Sequence, residues 1–258
     1  MRTAAALSTA LLLTSGTLGA GAAQSTSVRS LVPGDDSISG SHIKPYENEW
    51  EMVQRGTDGE ERVIGRWTDR VEIEEVLGRE VLRREQVSYG PSDVENNRQV
   101  HVLWRDTLAP VRSHLQAGPM VKHVDFGAAV GAHLVRGPDL PALSAEAQPL
   151  HVFDFEAAGL LLVGMRPQAG EQLQFRSYEL APAGVGPDAG LMIVAVDVVA
   201  QAHDWSSVAA GNLGALRALR VNVQQGQRAM TFWLAEAEPY VIKLEVATPS
   251  GTTIWRMR

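Results

Sequence analysis

From about Glu47 to the last residue, short runs that alternate apolar and polar residues are separated by turn residues, a period of two that suits strands with one buried face. Strands of this length and spacing, with turn signals between them, predict an antiparallel sheet rather than βαβ units. The expected fold is therefore mainly β: a curved antiparallel sheet forming an open half-barrel or barrel, with one short helix packed against it.

The N-terminus has the makings of an export signal. Met1-Arg2 supplies a positive charge, Ala4 to Leu13 a short apolar stretch, and Ala20-Gly21-Ala22 or Gly21-Ala22-Ala23 the small residues that signal peptidase accepts. Residues 1–23 are expected to be a cleaved signal peptide that sends the chain to the periplasm or out of the cell. The apolar stretch is shorter than the ~20 residues a spanning helix needs, so no transmembrane segment is expected after cleavage. The chain has no Cys, which excludes a lipidated cysteine, disulfides and thiolate metal sites. A net charge of −7 argues against nucleic acid as a partner, because such binding depends on neutralising phosphates.

Residues 24–46 are rich in Ser, Gly and Asp, lack periodicity and contain Pro33 and Pro45, which predicts a flexible N-terminal segment. Residues 47–258 are expected to form a single β domain. In the meander from Gln99 to Val135, turns near Thr107-Leu108, Gly118-Pro119 and Gly127-Ala128 would put Val100, Val102, Trp104, Val111, Leu115, Met120, Val124, Phe126, Val130 and Leu134 on the core face. His101, Arg112, His114, Gln116, His123, Asp125 and His133 would take the opposite face. Arg136 to Pro149 reads as a loop. Asp154 can cap a helix carrying Phe155, Leu160, Leu161, Leu162 and Met165, and Pro167 stops it. The continuous apolar run Leu191 to Ala202 is expected to be buried on both faces, with a long loop from Asp204 to Gly214 after it.

Ala210-Gly211-Asn212-Leu213-Gly214-Ala215-Leu216-Arg217-Ala218-Leu219-Arg220-Val221, followed by Thr231-Phe232-Trp233-Leu234 and Glu238-Pro239-Tyr240-Val241-Ile242-Lys243-Leu244-Glu245, resembles the DUF3108-like family of bacterial exported proteins. The resemblance is clearest over roughly the last 60 residues. It implies a curved antiparallel sheet with the shape of periplasmic lipoprotein carriers, and it carries no catalytic residues.

Catalytic motifs are sparse. No G-x-S-x-G occurs, His203-Asp204 near Ser206 lacks an evident oxyanion hole, and the pairs Glu74-Glu75 and Glu236/Glu238 read as solvated charges. His101, His114, His123 and His133, spaced 13, 9 and 10 apart, would lie nearly opposite one another on successive strands, with Cβ atoms about 5 Å apart. They form a candidate metal cluster, although no H-x-H or H-x-x-E-H spacing supports one. Most large aromatic residues are expected in the core. An unclosed curved sheet leaves an apolar concave surface, for which Trp104, Phe126, Phe155 and Trp233 are candidate walls and Leu160, Leu161 and Met165 a candidate lid. The sequence thus points to a noncatalytic, cofactor-free envelope protein that binds or relays a hydrophobic ligand, a lipid or a lipoprotein acyl chain. The alternative is an interaction or structural module for an envelope protein partner, with a fully packed core.

Overall fold

The computed structural model describes residues 27–148, 150–184 and 189–258. The leader expected over residues 1–23 lies outside the described residues. A first meander contains β2 (Tyr46–Gly56), β3 (Glu61–Val76), β4 (Arg79–Tyr89), β5 (Glu95–Trp104), β6 (Pro110–Ala117), β7 (Met120–Phe126), β8 (Val130–Val135) and β9 (Leu143–Ala147). A second contains β10 (Gln172–Ala183), β11 (Gly190–Ala209), β12 (Ala215–Gln225), β13 (Arg228–Leu234), β14 (Val241–Thr248) and β15 (Gly251–Met257). Each strand in a meander pairs antiparallel with the next. The two meanders become one 15-stranded sheet because β15 pairs with β2, Gly251 opposite Gly56 and Met257 opposite Trp50.

β1 (Val28–Ser30) adds a short parallel edge to β10, so the segment expected to be flexible is tied to the sheet. Leu31, Ile38 and Ile43 then enter the main core at 3%, 1% and 0% exposure. Three spaced apolar side chains fix this stretch without any periodicity for the sequence to reveal.

The sheet rolls up without closing. β9 returns alongside β11 with no ladder between them. The seam is instead a packed cluster in which Val124, Val130 and Ala132 from one end of the sheet meet Tyr178 and Ile193 from the other. Phe126 contributes an edge-to-face contact with Tyr178 at 5.2 Å. β9 lies within the stretch read from sequence as a loop.

The helical segment sits inside the roll. The Asp154 carboxylate accepts the Glu156 amide (3.3 Å) and starts a 3₁₀ turn, Phe155–Ala157, which continues into α1 (Ala158–Met165). Arg166 ends α1 in the left-handed conformation (φ 49°), and Pro167 follows. All eight residues of α1 are buried. A helix that is apolar on every side belongs in a core, so Leu160, Leu161 and Met165 form a packed plug rather than a lid lying over the sheet. Its glycines permit close approach. A Cβ on Gly164 would sit 2.0 Å from Leu108 Cδ1, and one on Gly159 would sit 3.1 Å from Val241 Cγ2.

Two other expectations change. The run Leu191 to Ala202 is not buried on both faces: Val198, Ala200 and Ala202 point into the core, whereas Met192 and Val199 are 42% and 37% exposed. β11 also continues through Asp204 to Ala209, past a bulge between Ala202 and Trp205, where a loop was expected. Among the described residues, no helix is long and apolar enough to cross a membrane.

Candidate functional site: a chamber with two walls

Inside the roll, beside the N-terminal end of α1, lies a cavity of about 660 Å³. The interior is therefore not filled by side chains. The cavity falls within the roughly 300–1,000 Å³ typical of small-molecule sites.

One wall is aromatic and aliphatic. Val221, Phe232, Leu244 and Trp255 stand directly opposite one another on β12 to β15, and the last three of them line the cavity. Trp50 and Trp67 extend this wall across β2 and β3, with ring centroids 6.4 Å apart, and Trp67 meets Trp255 at 5.6 Å.

The facing wall is polar. Asp69, Gln86, Gln99, Leu115 and Lys122 form one cross-strand row over β3 to β7, and Arg84, His101 and Ser113 lie in the next row. Arg84 grips Asp69 through two parallel bonds, Nε to Oδ1 at 2.8 Å and Nη2 to Oδ2 at 2.6 Å, with both residues buried. Burial opposes the charge on Arg84, but the Asp69 carboxylate outweighs it and holds the guanidinium above its ordinary pKa. Tyr46 donates to the same carboxylate (3.3 Å), and burial together with the Asp69 charge raises its phenol pKa.

His101 Nδ1 lies 2.7 Å from Asp154 Oδ2 with both side chains fully buried, and Lys122 pairs with Glu156. His101, Asp154 and Glu156 offer ligand atoms within 4.8 Å of one another. Asp154 is held by His101 and Glu156 by Lys122, contacts that anchor the start of the 3₁₀ turn to β5 and β7. Tyr178, whose hydroxyl meets Ser113 at 3.1 Å, has its pKa raised by burial and by the charges of Asp154 and Glu156.

Two polar atoms of residues that line the chamber, Trp50 Nε1 and Gln86 Oε1, are buried away from its space and have no hydrogen-bond partner among the described residues. Trp50 is 3% and Gln86 2% exposed. Such groups cost about 1–3 kcal/mol each when unmet, and native structures contain few of them.

Of the residues singled out from sequence, Phe155 lines the chamber. Phe126 belongs to the seam, and Leu160, Leu161 and Met165 are packed solid in the core. Trp104 stands outside the chamber beneath Arg79, whose guanidinium lies 4.1 Å from the ring centroid. Trp233 also lies outside, in a small separate cluster with Ala218 and Ile242.

The histidine series divides. His114, His123 and His133 do stand directly opposite one another, on the outer face. His101 pairs with Ser113 and points inward, so the face assignment of β5 is inverted: Gln99, His101 and Leu103 face in, and Val100, Val102 and Trp104 face out. The pairing of β5 with β6 shifts between Val102 and Leu103, which breaks the phase carried from the neighbouring strand. Sequence reasoning missed Asp69, Arg84, Gln86, Gln99 and Lys122. One signal was present: Lys122 shares the phase of Met120, Val124 and Phe126, so a charged residue sits on an otherwise apolar face.

No protein-family model, curated protein or solved structure matches this chain.

Proposed function

We propose that this protein is a noncatalytic binder or carrier of a hydrophobic ligand, a lipid or an acyl chain, acting in the cell envelope after export. The chamber of about 660 Å³ with a continuous aromatic wall carries this reading, because an interior built only for stability is filled at close-packed density. Burying about ten methylenes there would contribute about 8 kcal/mol before the loss of ligand freedom is subtracted. Wall and plug are preformed, which keeps the ordering cost low. The chamber also disfavours the fully packed interior of an interaction module. Beside it, Arg84 is held by Asp69 and Lys122 by Glu156.

The experiment is equilibrium binding of a fluorescent acyl probe to the purified protein, with extraction and mass spectrometry of protein taken from its native host. Wild type should bind the probe and carry co-purifying lipid. Met230→Trp, which fills the chamber from its apolar side, should weaken probe binding at least about tenfold with little change in melting temperature. A folded wild type that binds no probe and yields no lipid would remove the carrier reading.

A further inference from the structure

We propose that His114 and His123 form a site for a divalent transition metal, Zn²⁺ or Ni²⁺, on the outer face of the sheet, with Asp125 as the carboxylate that positions His123. The site is independent of the chamber: β7 sends Lys122 and Val124 inward, whereas His123 and Asp125 face out.

Register builds the pair. His114 on β6 is directly opposite His123 on β7, and Arg112 is opposite Asp125 two residues along. Directly opposed side chains of an antiparallel pair carry Cβ atoms about 5 Å apart. The two imidazole rings lie with centroids 6.1 Å apart and planes at 58°. Two imidazoles on one tetrahedral ion, with metal–nitrogen bonds of about 2.0–2.1 Å, have centroids about 5 Å apart. The rings therefore close on a metal by moving together about 1 Å, a side-chain rotation that partly exposed residues can make while the strands stay in place.

The surroundings favour the ligating form. Burial, and then the neighbouring His123, lowers the pKa of His114, so its ring keeps a free lone pair at neutral pH. Asp125 Oδ2 lies 3.1 Å from His123 Nε2. A carboxylate on one ring nitrogen orients the imidazole, raises its basicity and leaves the other nitrogen for a metal. Imidazole ligands suit Zn²⁺ and Ni²⁺, whereas Mg²⁺ and Ca²⁺ take sets of oxygens. Arg112 offsets the charge of Asp125, so the imidazoles rather than a net negative field supply the affinity. His133, opposite His123 on its other side, is exposed and has Nδ1 3.0 Å from Ser144 Oγ. It serves as the internal control, a neighbouring histidine outside the pair.

Isothermal titration with zinc chloride and thermal melts at about pH 7.5 test the site on untagged wild type, His114→Gln, His123→Gln and His133→Gln. Wild type should bind one Zn²⁺ with a dissociation constant below about 100 μM, and about 1 mM Zn²⁺ should raise its melting temperature by at least about 2 °C. His114→Gln and His123→Gln should each weaken binding at least about tenfold and remove that shift, whereas His133→Gln should stay within about threefold of wild type. No binding by wild type, or a loss in His133→Gln as large as in His114→Gln, overturns the site. If a variant does not fold, modification of wild type by diethyl pyrocarbonate, mapped by mass spectrometry, decides: Zn²⁺ should protect His114 and His123, and equal modification with and without Zn²⁺ overturns the proposal.

Discussion

The inner faces of β12 to β15 and of β3 to β7 belong to one sheet, yet they are built by opposite rules. On β12 to β15 the inward row is Val221, Phe232, Leu244 and Trp255, so alternation in the sequence matches burial in the fold. On β3 to β7 the inward row is Asp69, Gln86, Gln99, Leu115 and Lys122, and on β5 the more apolar set faces out. A polar group tolerates that position only when a partner or a ligand satisfies it. The contrast separates a wall held by apolar burial from one held by paired polar groups.

The largest expected effect attacks the polar wall. Asp69→Ala leaves Arg84 charged, buried and unpaired, and should cost about 3–5 kcal/mol in urea unfolding. Replacing both partners, Asp69→Leu with Arg84→Met, should recover most of that loss, because matched apolar groups avoid the desolvation of two ions. If the single variant costs less than the double, the pair is not the constraint described above.

A smaller effect compares the inside with the outside. Trp255→Ala removes part of the chamber's aromatic wall and should weaken acyl-probe binding about tenfold, or about 1.4 kcal/mol. Trp104→Ala removes a ring of the same size from the outer face and should leave probe affinity unchanged within about twofold. Equal losses at the two positions would show that the probe does not occupy the chamber.

The smallest effect is a pH slope. Burial, and then the neighbouring His123, lowers the pKa of His114, and burial, and then Arg166, lowers that of His42. The fold therefore favours both imidazoles neutral, so the unfolded chain binds more protons as pH falls through about 6.5. This part of the stability is complete above that pH and is lost below it. His114→Gln with His42→Gln should flatten the slope of unfolding free energy between pH 8 and pH 5, measured by urea titration. An unchanged slope would assign the pH dependence to other groups.

Much of the architecture was legible from the chain. The strands at Met230 to Leu234 and Thr253 to Met257, the cap at Asp154 and the stop at Pro167 all follow local rules of alternation, capping and proline chemistry. The candidate site was much less legible. Trp104 and Trp233 are large and apolar, but Arg79 and Lys243 lie over them on the outer face, and a cationic cover of that kind leaves no mark in a hydrophobic pattern. Val198 and Val199 look alike in sequence, and only one of them faces the core.

Sequence by itself determined the β period, the tight turns such as Gly56–Gly59 and Leu77-Gly78, and the single α-helix, because each depends on neighbours within a few residues. Tertiary structure alone decided that β15 joins β2, that α1 is swallowed by the roll, and that Asp69 meets Arg84 beside an open chamber. The physical reason is range: pairing across some 200 residues and the burial of a charge depend on the whole rolled sheet, which removes water from both partners at once.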